Sequence, residues 1–193
     1  DFERIRKLIY ERVGISLSPV KQDMVYSRLA RRLRATGLHT FGEYLHRLES
    51  GDEAEMEAFT NSLTTNLTSF FREAHHFPIL AEHLGKRRGP QPAFLWCAAC
   101  STGEEAYSMA MTVVDLYRSF TPPVKILATD VDTSVLRKAE AGVYPVERLE
   151  KLPPDLIRRF FLKGTGHHEG QAKVRKELQD LITFRQINLL DER

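Results

Sequence analysis

The stretch Ala93-Phe-Leu-Trp-Cys-Ala-Ala-Cys-Ser-Thr-Gly-Glu-Glu105 decides the fold. Its first seven residues form a short apolar run bounded by small residues, the signature of a buried strand. A small loop with one glycine follows, and residues 107–120 then carry Met109, Val113, Leu116 and Tyr117 at helical spacing. Val124-Lys-Ile-Leu-Ala-Thr129 reads as a second strand ending on Asp130, and residues 133–141 read as a helix stopped by Gly142. Alternating strands and helices of this size imply a parallel sheet with right-handed crossovers. Ile182-Thr-Phe-Arg-Gln-Ile187 supplies a third strand. Residues 144–181 break the rhythm with prolines, glycines and charges, and read as an insertion.

Upstream, the pattern is helical. Ile5, Leu8, Ile9 and Val13 share one face before Gly14, and Ser18-Pro19 offers an N-cap and a first-turn proline for a second helix carrying Val25, Leu29 and Leu33. A third helix follows Thr40, with Phe41, Tyr44, Leu45 and Leu48 inward. A fourth opens at Asp52, where Glu55 stands in capping-box position ahead of Met56, Phe59 and Leu63. Another helix is expected after Phe77-Pro78, and Gly85-Lys-Arg-Arg-Gly-Pro-Gln-Pro92 marks a boundary. The division is a helical domain over 1–64, a linker over 65–92 and an α/β domain over 93–193.

The whole-chain numbers agree with a folded, water-soluble architecture. There are 193 residues, 42% hydrophobic and 28% charged, with a net charge of +2, which excludes disordered, collagen-like and coiled-coil classes. No apolar run approaches the roughly 20 residues of a membrane span. Asp1-Phe2-Glu3-Arg4 is no signal peptide, and with only 2 cysteines the expected compartment is the reducing cytoplasm. The charge is unevenly placed: residues 1–37 carry +5 and residues 38–60 carry −5. That argues against a general polyanion binder and leaves room for one basic face.

Chemistry is expected where strands of an open parallel sheet end and helices begin. The loop after the first strand is not G-x-G-x-x-G, and Glu104 and Glu105 at a helix N-terminus repel a pyrophosphate. They suit a ligand with hydroxyls or positive charge, such as S-adenosylmethionine, or Ser101 and Glu104 simply form a capping box. The lone Gly103 lets a ligand approach the backbone. Asp130, at the end of the second strand, is placed to bind ribose hydroxyls, or else it forms a turn. Cys97-Ala-Ala-Cys100 matches a redox or half-zinc spacing, yet no second pair exists, so small-residue packing is the preferred reading and no metal is expected.

These residues resemble a known family. Ser101-Thr-Gly-Glu-Glu105, Ala128-Thr-Asp-Val-Asp132, Thr65-Asn-Leu-Thr-Ser-Phe-Phe-Arg-Glu73, Lys163-Gly-Thr-Gly-His-His-Glu-Gly170 and Ile187-Asn-Leu-Leu190 look like the bacterial chemotaxis receptor methyltransferases (CheR), in the right order and over nearly the whole chain. The resemblance implies methyl transfer from S-adenosylmethionine to receptor glutamates, giving methyl esters and S-adenosylhomocysteine. It implies cofactor contacts at Asn66, Thr68, Arg72, Glu105, Asp130, Asn188 and Leu189, with Arg72 also acting at the transfer site, where a cation can orient a carboxylate. A glutamate, with a pKa of about 4.3, is already ionised near neutral pH, so no general base is needed and His75, His76 and His83 are not assigned to catalysis.

The resemblance also implies partners. Arg28, Arg31, Arg32 and Arg34 on the second helix are expected to dock acidic receptor helices; a solvated face and a phosphate grip are the competing readings. Gly164, Gly166, Gly170 and Lys173 are expected to take a C-terminal peptide tether of the receptor by strand addition. Tether-binding members usually have Arg where Lys173 stands, which removes bidentate recognition. The alternative functions are a non-catalytic module that senses cofactor or receptor, and a nucleic-acid methyltransferase using the arginine helix. The family continues beyond Asn188-Leu-Leu190 into further strands, so the chain is expected to be a fragment whose first strand is an exposed apolar edge and whose methyl transfer is impaired.

Overall fold

The computed structural model describes residues 1–89 and 91–191, so Pro90 of the expected boundary and the final Glu192 and Arg193 lie outside the described residues. Two compact units are present: Asp1–Thr65 with Val131–Thr133 and the chain from Ile187, and Asn66–Asp130 with Ser134–Gln186.

The first unit is helical. Helix α1 (Phe2–Val13) ends at Gly14, whose φ of 73° suits a residue without Cβ, and the Gly14 N–H donates to Tyr10 O at 2.8 Å. Ser18-Pro19 opens a short 3-10 turn, Pro19–Lys21, with no side-chain cap, and α2 (Gln22–Thr36) begins only after it. The full capping box lies at Thr40, which with Glu43 starts α3 (Phe41–Glu49). Helix α4 (Glu53–Leu63) has half a box: Asp52 accepts from the Glu55 N–H at 3.0 Å, but the Glu55 carboxylate turns into the core. Ile5, Ile9, Val25, Leu29, Tyr44, Leu45 and Phe59 are fully buried, as the 3.6-residue period requires.

In the second unit, after α5 (His76–Gly85), a three-stranded parallel sheet runs in the order β1 (Ala93–Ala98), β2 (Val124–Asp130), β6 (Ile182–Gln186). Leu95 pairs with Ile126, and Ala128 pairs with Phe184. Helix α6 (Glu104–Tyr117) buries Ala106, Tyr107, Ala110, Met111 and Val114 with Cys97, Ile126 and Ala128 of the sheet. It starts three residues before the expected 107, because Gly103 is already its N-cap. Helix α7 (Thr133–Ala141) follows β2. β1 is an edge strand, with Phe94 and Trp96 exposed on one face.

The insertion is a second sheet. β3 (Val143–Pro145), β4 (Phe161–Lys163) and β5 (Gln171–Val174) pair antiparallel in the order β3-β5-β4, with α8 (Pro154–Phe160) leading into β4 and α9 (Lys176–Gln179) leading from β5 to β6. The fold is therefore helical plus α/β, with a small antiparallel insertion. No described helix is long and apolar enough to cross a membrane.

Candidate functional site

The loop from β1 to α6 is tightly coiled because Ala99, Ser101 and Gly103 all take positive φ, at 56°, 50° and 93°. The Cys100 N–H donates to Thr129 O and the Ser101 N–H to Asp130 Oδ2, both at 2.8 Å, so the loop is laced to the end of β2. Gly103 is needed for packing as well as for its turn: a Cβ there would stand 2.8 Å from Ala139 Cβ and 3.1 Å from the Tyr144 hydroxyl. The close approach expected of a ligand at this glycine is made by α7. No Ser101–Glu104 capping box forms: Gly103 is the N-cap, the Ser101 N–H goes to Asp130, and the buried Ser101 hydroxyl has no hydrogen-bond partner.

The two glutamates have opposite environments. Glu104 is 1% exposed; its Oε2 accepts from the Thr102 hydroxyl at 2.5 Å, and its Oε1 has no hydrogen-bond partner. Glu105 is exposed and meets the Cys97 thiol at 3.7 Å. Together with the buried Asp130, this donor set is all acceptor and all anionic. It fits hydroxyls and cationic groups, and it opposes phosphate at the α6 N-terminus.

A second loop, residues 66–73, carries Asn66, Thr68 and Arg72. Phe70 anchors it, meeting Tyr144 and Phe161 edge to face at 5.0 Å and 5.5 Å. Burying that ring contributes about 2 kcal/mol. Phe71 and Glu73 both hold φ of 51°, a strained setting for side chains with Cβ. The Phe71 N–H donates to Ser108 Oγ at 2.9 Å, which fixes the loop beside the first turns of α6. Arg72 donates from Nη1 to Leu67 O at 3.0 Å and is exposed. Asn188 and Leu189 belong to the helical unit, where Asn188 Nδ2 donates to Arg12 O at 2.8 Å and Leu189 is 68% exposed.

The structure divides the four arginines of α2. Arg28 donates to Thr64 O at 2.7 Å, and Arg32 forks onto Glu55 at 2.9 Å and 2.7 Å. Arg31 and Arg34 are exposed. In the insertion, Val143, Leu162, Gly164, Thr165, His168, Gln171 and Lys173 line a cleft of about 330 Å³. Val143 and Leu162 pair in register on either side of Lys173, so one cation stands between two partly exposed apolar side chains. Gly164 allows a tight crossing, since a Cβ there would lie 1.9 Å from His168 O. Gly166 and Gly170 occupy turns at φ of 59° and 79°.

Both cysteines are free and buried. Burial, reinforced by Asp130, pushes the Cys100 thiol up to about 12, and burial with Glu105 also raises Cys97. Thiols held protonated in this way are poor nucleophiles and metal ligands. Among the described residues no group of three or more His, Cys, Asp or Glu is arranged to hold a metal ion. Sequence reasoning missed Thr102, Ser108, Tyr144 and Arg148. Ser108 had a signal, standing one helical turn beyond Glu104; Arg148 had none, because its contacts lie 44 and 80 residues away.

Comparison with known proteins places these loops in context. Residues 66–193 match the family model described as CheR methyltransferase, SAM binding domain, and residues 1–64 match that described as CheR methyltransferase, all-alpha domain. The chain is 53% identical over 193 residues to chemotaxis protein methyltransferase 2 of Pseudomonas aeruginosa, covering 99% of this chain and 68% of that protein. It is 52% identical over 192 residues to the chemotaxis protein methyltransferase of Salmonella typhimurium, covering 99% and 66%. With that of Escherichia coli it shares 53% over 190 residues, covering 98% and 66%. The chain thus spans about two thirds of the length of these relatives.

Proposed function

This chain belongs to the CheR methyltransferase family, and on that premise we propose that it serves methyl transfer from S-adenosylmethionine to glutamate side chains of chemotaxis receptors. The observation that carries the reading is the carboxylate set at the β1–α6 loop: Glu104 buried with one oxygen unpartnered, Glu105 exposed beside it, and Asp130 tied to the same loop. Such a set disfavours dinucleotides and suits a ligand that is cationic and carries ribose hydroxyls.

When bound, S-adenosylmethionine supplies a methyl group on a positively charged sulfur. Asp130 and Glu105, with Asn66 and Thr68, would hold the cofactor by its hydroxyls and its cationic groups. Arg72, steadied by Leu67 O, keeps donors free to grip the incoming glutamate and align its oxygen. The substrate carboxylate is already ionised near pH 7, so alignment is the main task of the protein. Receptor affinity comes from the basic α2, chiefly Arg31 and Arg34, and a receptor tether adds a strand at an edge of the insertion, beside β3 or β4, because Lys173 lies on the central β5. The methyl ester forms in the cytoplasm, where the receptor domains that accept it lie.

The test uses cofactor carrying a labelled methyl group, with purified receptor cytoplasmic domain or nucleic acid, beside calorimetry with S-adenosylhomocysteine. Base-labile label on receptor glutamates is the expected result. Failure to bind S-adenosylhomocysteine, or label passing to nucleic acid, overturns the proposal.

A further inference from the structure

Two chains of contacts join the first turns of α6 to the 66–73 loop, and both pass through Glu104. In one, the Phe71 N–H donates to Ser108 Oγ at 2.9 Å, and the Ser108 hydroxyl donates to the Glu104 carbonyl at 2.6 Å. In the other, Arg148 Nη1 donates to Thr68 O at 3.0 Å while standing 3.7 Å from Glu104 Oε1, the buried carboxylate oxygen that has no hydrogen-bond partner. The loop is thus held at Thr68 and at Phe71, on either side of the buried Phe70 and next to Arg72.

We infer that Glu104, Ser108 and Arg148 are positioning residues that clamp the 66–73 loop, and so set the placement of Thr68 and Arg72. The inference rests on the methyltransferase reading for what the loop does, and on the geometry alone for the clamp. A half-exposed arginine paired with a surface carboxylate would contribute little. Here the carboxylate is 1% exposed and Arg148 is the cation facing its unpartnered oxygen, so the pair is held by the cost of leaving a buried charge alone. Strain points the same way: positive φ at Phe71 and Glu73 persists only where surrounding contacts over-determine the backbone. Tyr144, which donates to Thr102 O at 2.6 Å and meets Phe70 edge to face, supports both ends of the clamp.

Amide hydrogen exchange on the full chain tests this without any ligand. Arg148→Ala lies at the surface and leaves the core packing alone; it should speed exchange of the 68–72 amides about tenfold, with exchange in α6 unchanged. Arg148→Lys should restore part of the protection. Glu104→Gln should speed the same amides, and the double variant should be no faster than Arg148→Ala, because the two act as one unit. Calorimetry then reads the consequence, with S-adenosylhomocysteine binding weakened several-fold in each single variant. Unchanged loop exchange in both Arg148→Ala and Glu104→Gln overturns the clamp. If the unaltered chain fails to bind S-adenosylhomocysteine, the methyltransferase reading falls, and loop exchange still decides the clamp.

Discussion

Two buried glutamates sit in the first turn of a helix, one in each unit, and they are treated differently. Glu55, in α4, accepts two bonds from Arg32 and one from the Tyr44 hydroxyl at 2.7 Å, so both its oxygens are satisfied. Glu104, in α6, keeps one oxygen unpartnered and faces an arginine that is close to half exposed. A satisfied buried carboxylate specifies packing; an under-satisfied one marks a place where the fold accepts cost for a ligand or a moving part. The comparison also explains why Arg28 and Arg32 are less exposed than Arg31 and Arg34: Arg32 is paired with Glu55, and Arg28 donates to Thr64 O.

The strongest way to break this contrast is to delete each acid. Glu55→Ala leaves Arg32 and Tyr44 inside without an acceptor and should cost about 3 kcal/mol in denaturant unfolding. Glu104→Gln should cost less than about 1 kcal/mol while impairing cofactor binding. Equal losses of stability would erase the distinction. The pH dependence follows the same line. Burial pushes the Glu55 carboxyl up, but the hydrogen bonds from Arg32 and Tyr44 outweigh it and hold the group below its ordinary value. Its stabilisation is therefore present above the unfolded value of about 4.3 and is lost as pH falls through the lower folded value. Unfolding free energies of the unaltered chain and Glu55→Gln should differ at pH 6 and converge on acidification.

Next in size is Gly103→Ala, where the added Cβ meets Ala139 in a backbone of φ 93°; a loss of about 2 kcal/mol is expected in thermal or denaturant melts. Arg31→Glu with Arg34→Glu should change stability by no more than about 0.5 kcal/mol and weaken receptor binding about tenfold, read by calorimetry with the receptor cytoplasmic domain. Reversing Arg32 instead should unfold the helical unit, so affinity lost in that variant says nothing about docking. The smallest effect is on the thiols: an alkylating reagent at pH 7.5 should leave the native chain unmodified and label both cysteines once it is denatured.

The element pattern was readable because it is local. Apolar periodicity at Ile5, Ile9 and Leu29, the run Ala93–Ala98 and the stop at Gly142 involve neighbours only a few residues apart. The charge at the start of α6 was also readable, since Glu104 and Glu105 are adjacent in sequence and two carboxylates at a helix N-terminus disfavour phosphate. Local reasoning failed where a residue with a local use is taken by a distant partner. Glu55 stood in capping-box spacing, yet its carboxylate goes to Arg32, 23 residues away. Ser101 and Glu104 had the same spacing, yet the Ser101 N–H goes to Asp130, 29 residues away.

Sequence sufficed, then, for the elements, the parallel sheet, its antiparallel insertion and the family, because these follow from periodicity, turn residues and short motifs. Tertiary structure alone decided which arginines of α2 remain exposed, why Gly103 must be glycine, and which of two adjacent glutamates is buried without a full set of partners. Those outcomes depend on charges and close packing between distant segments, and no local window of the chain contains both members of any such pair.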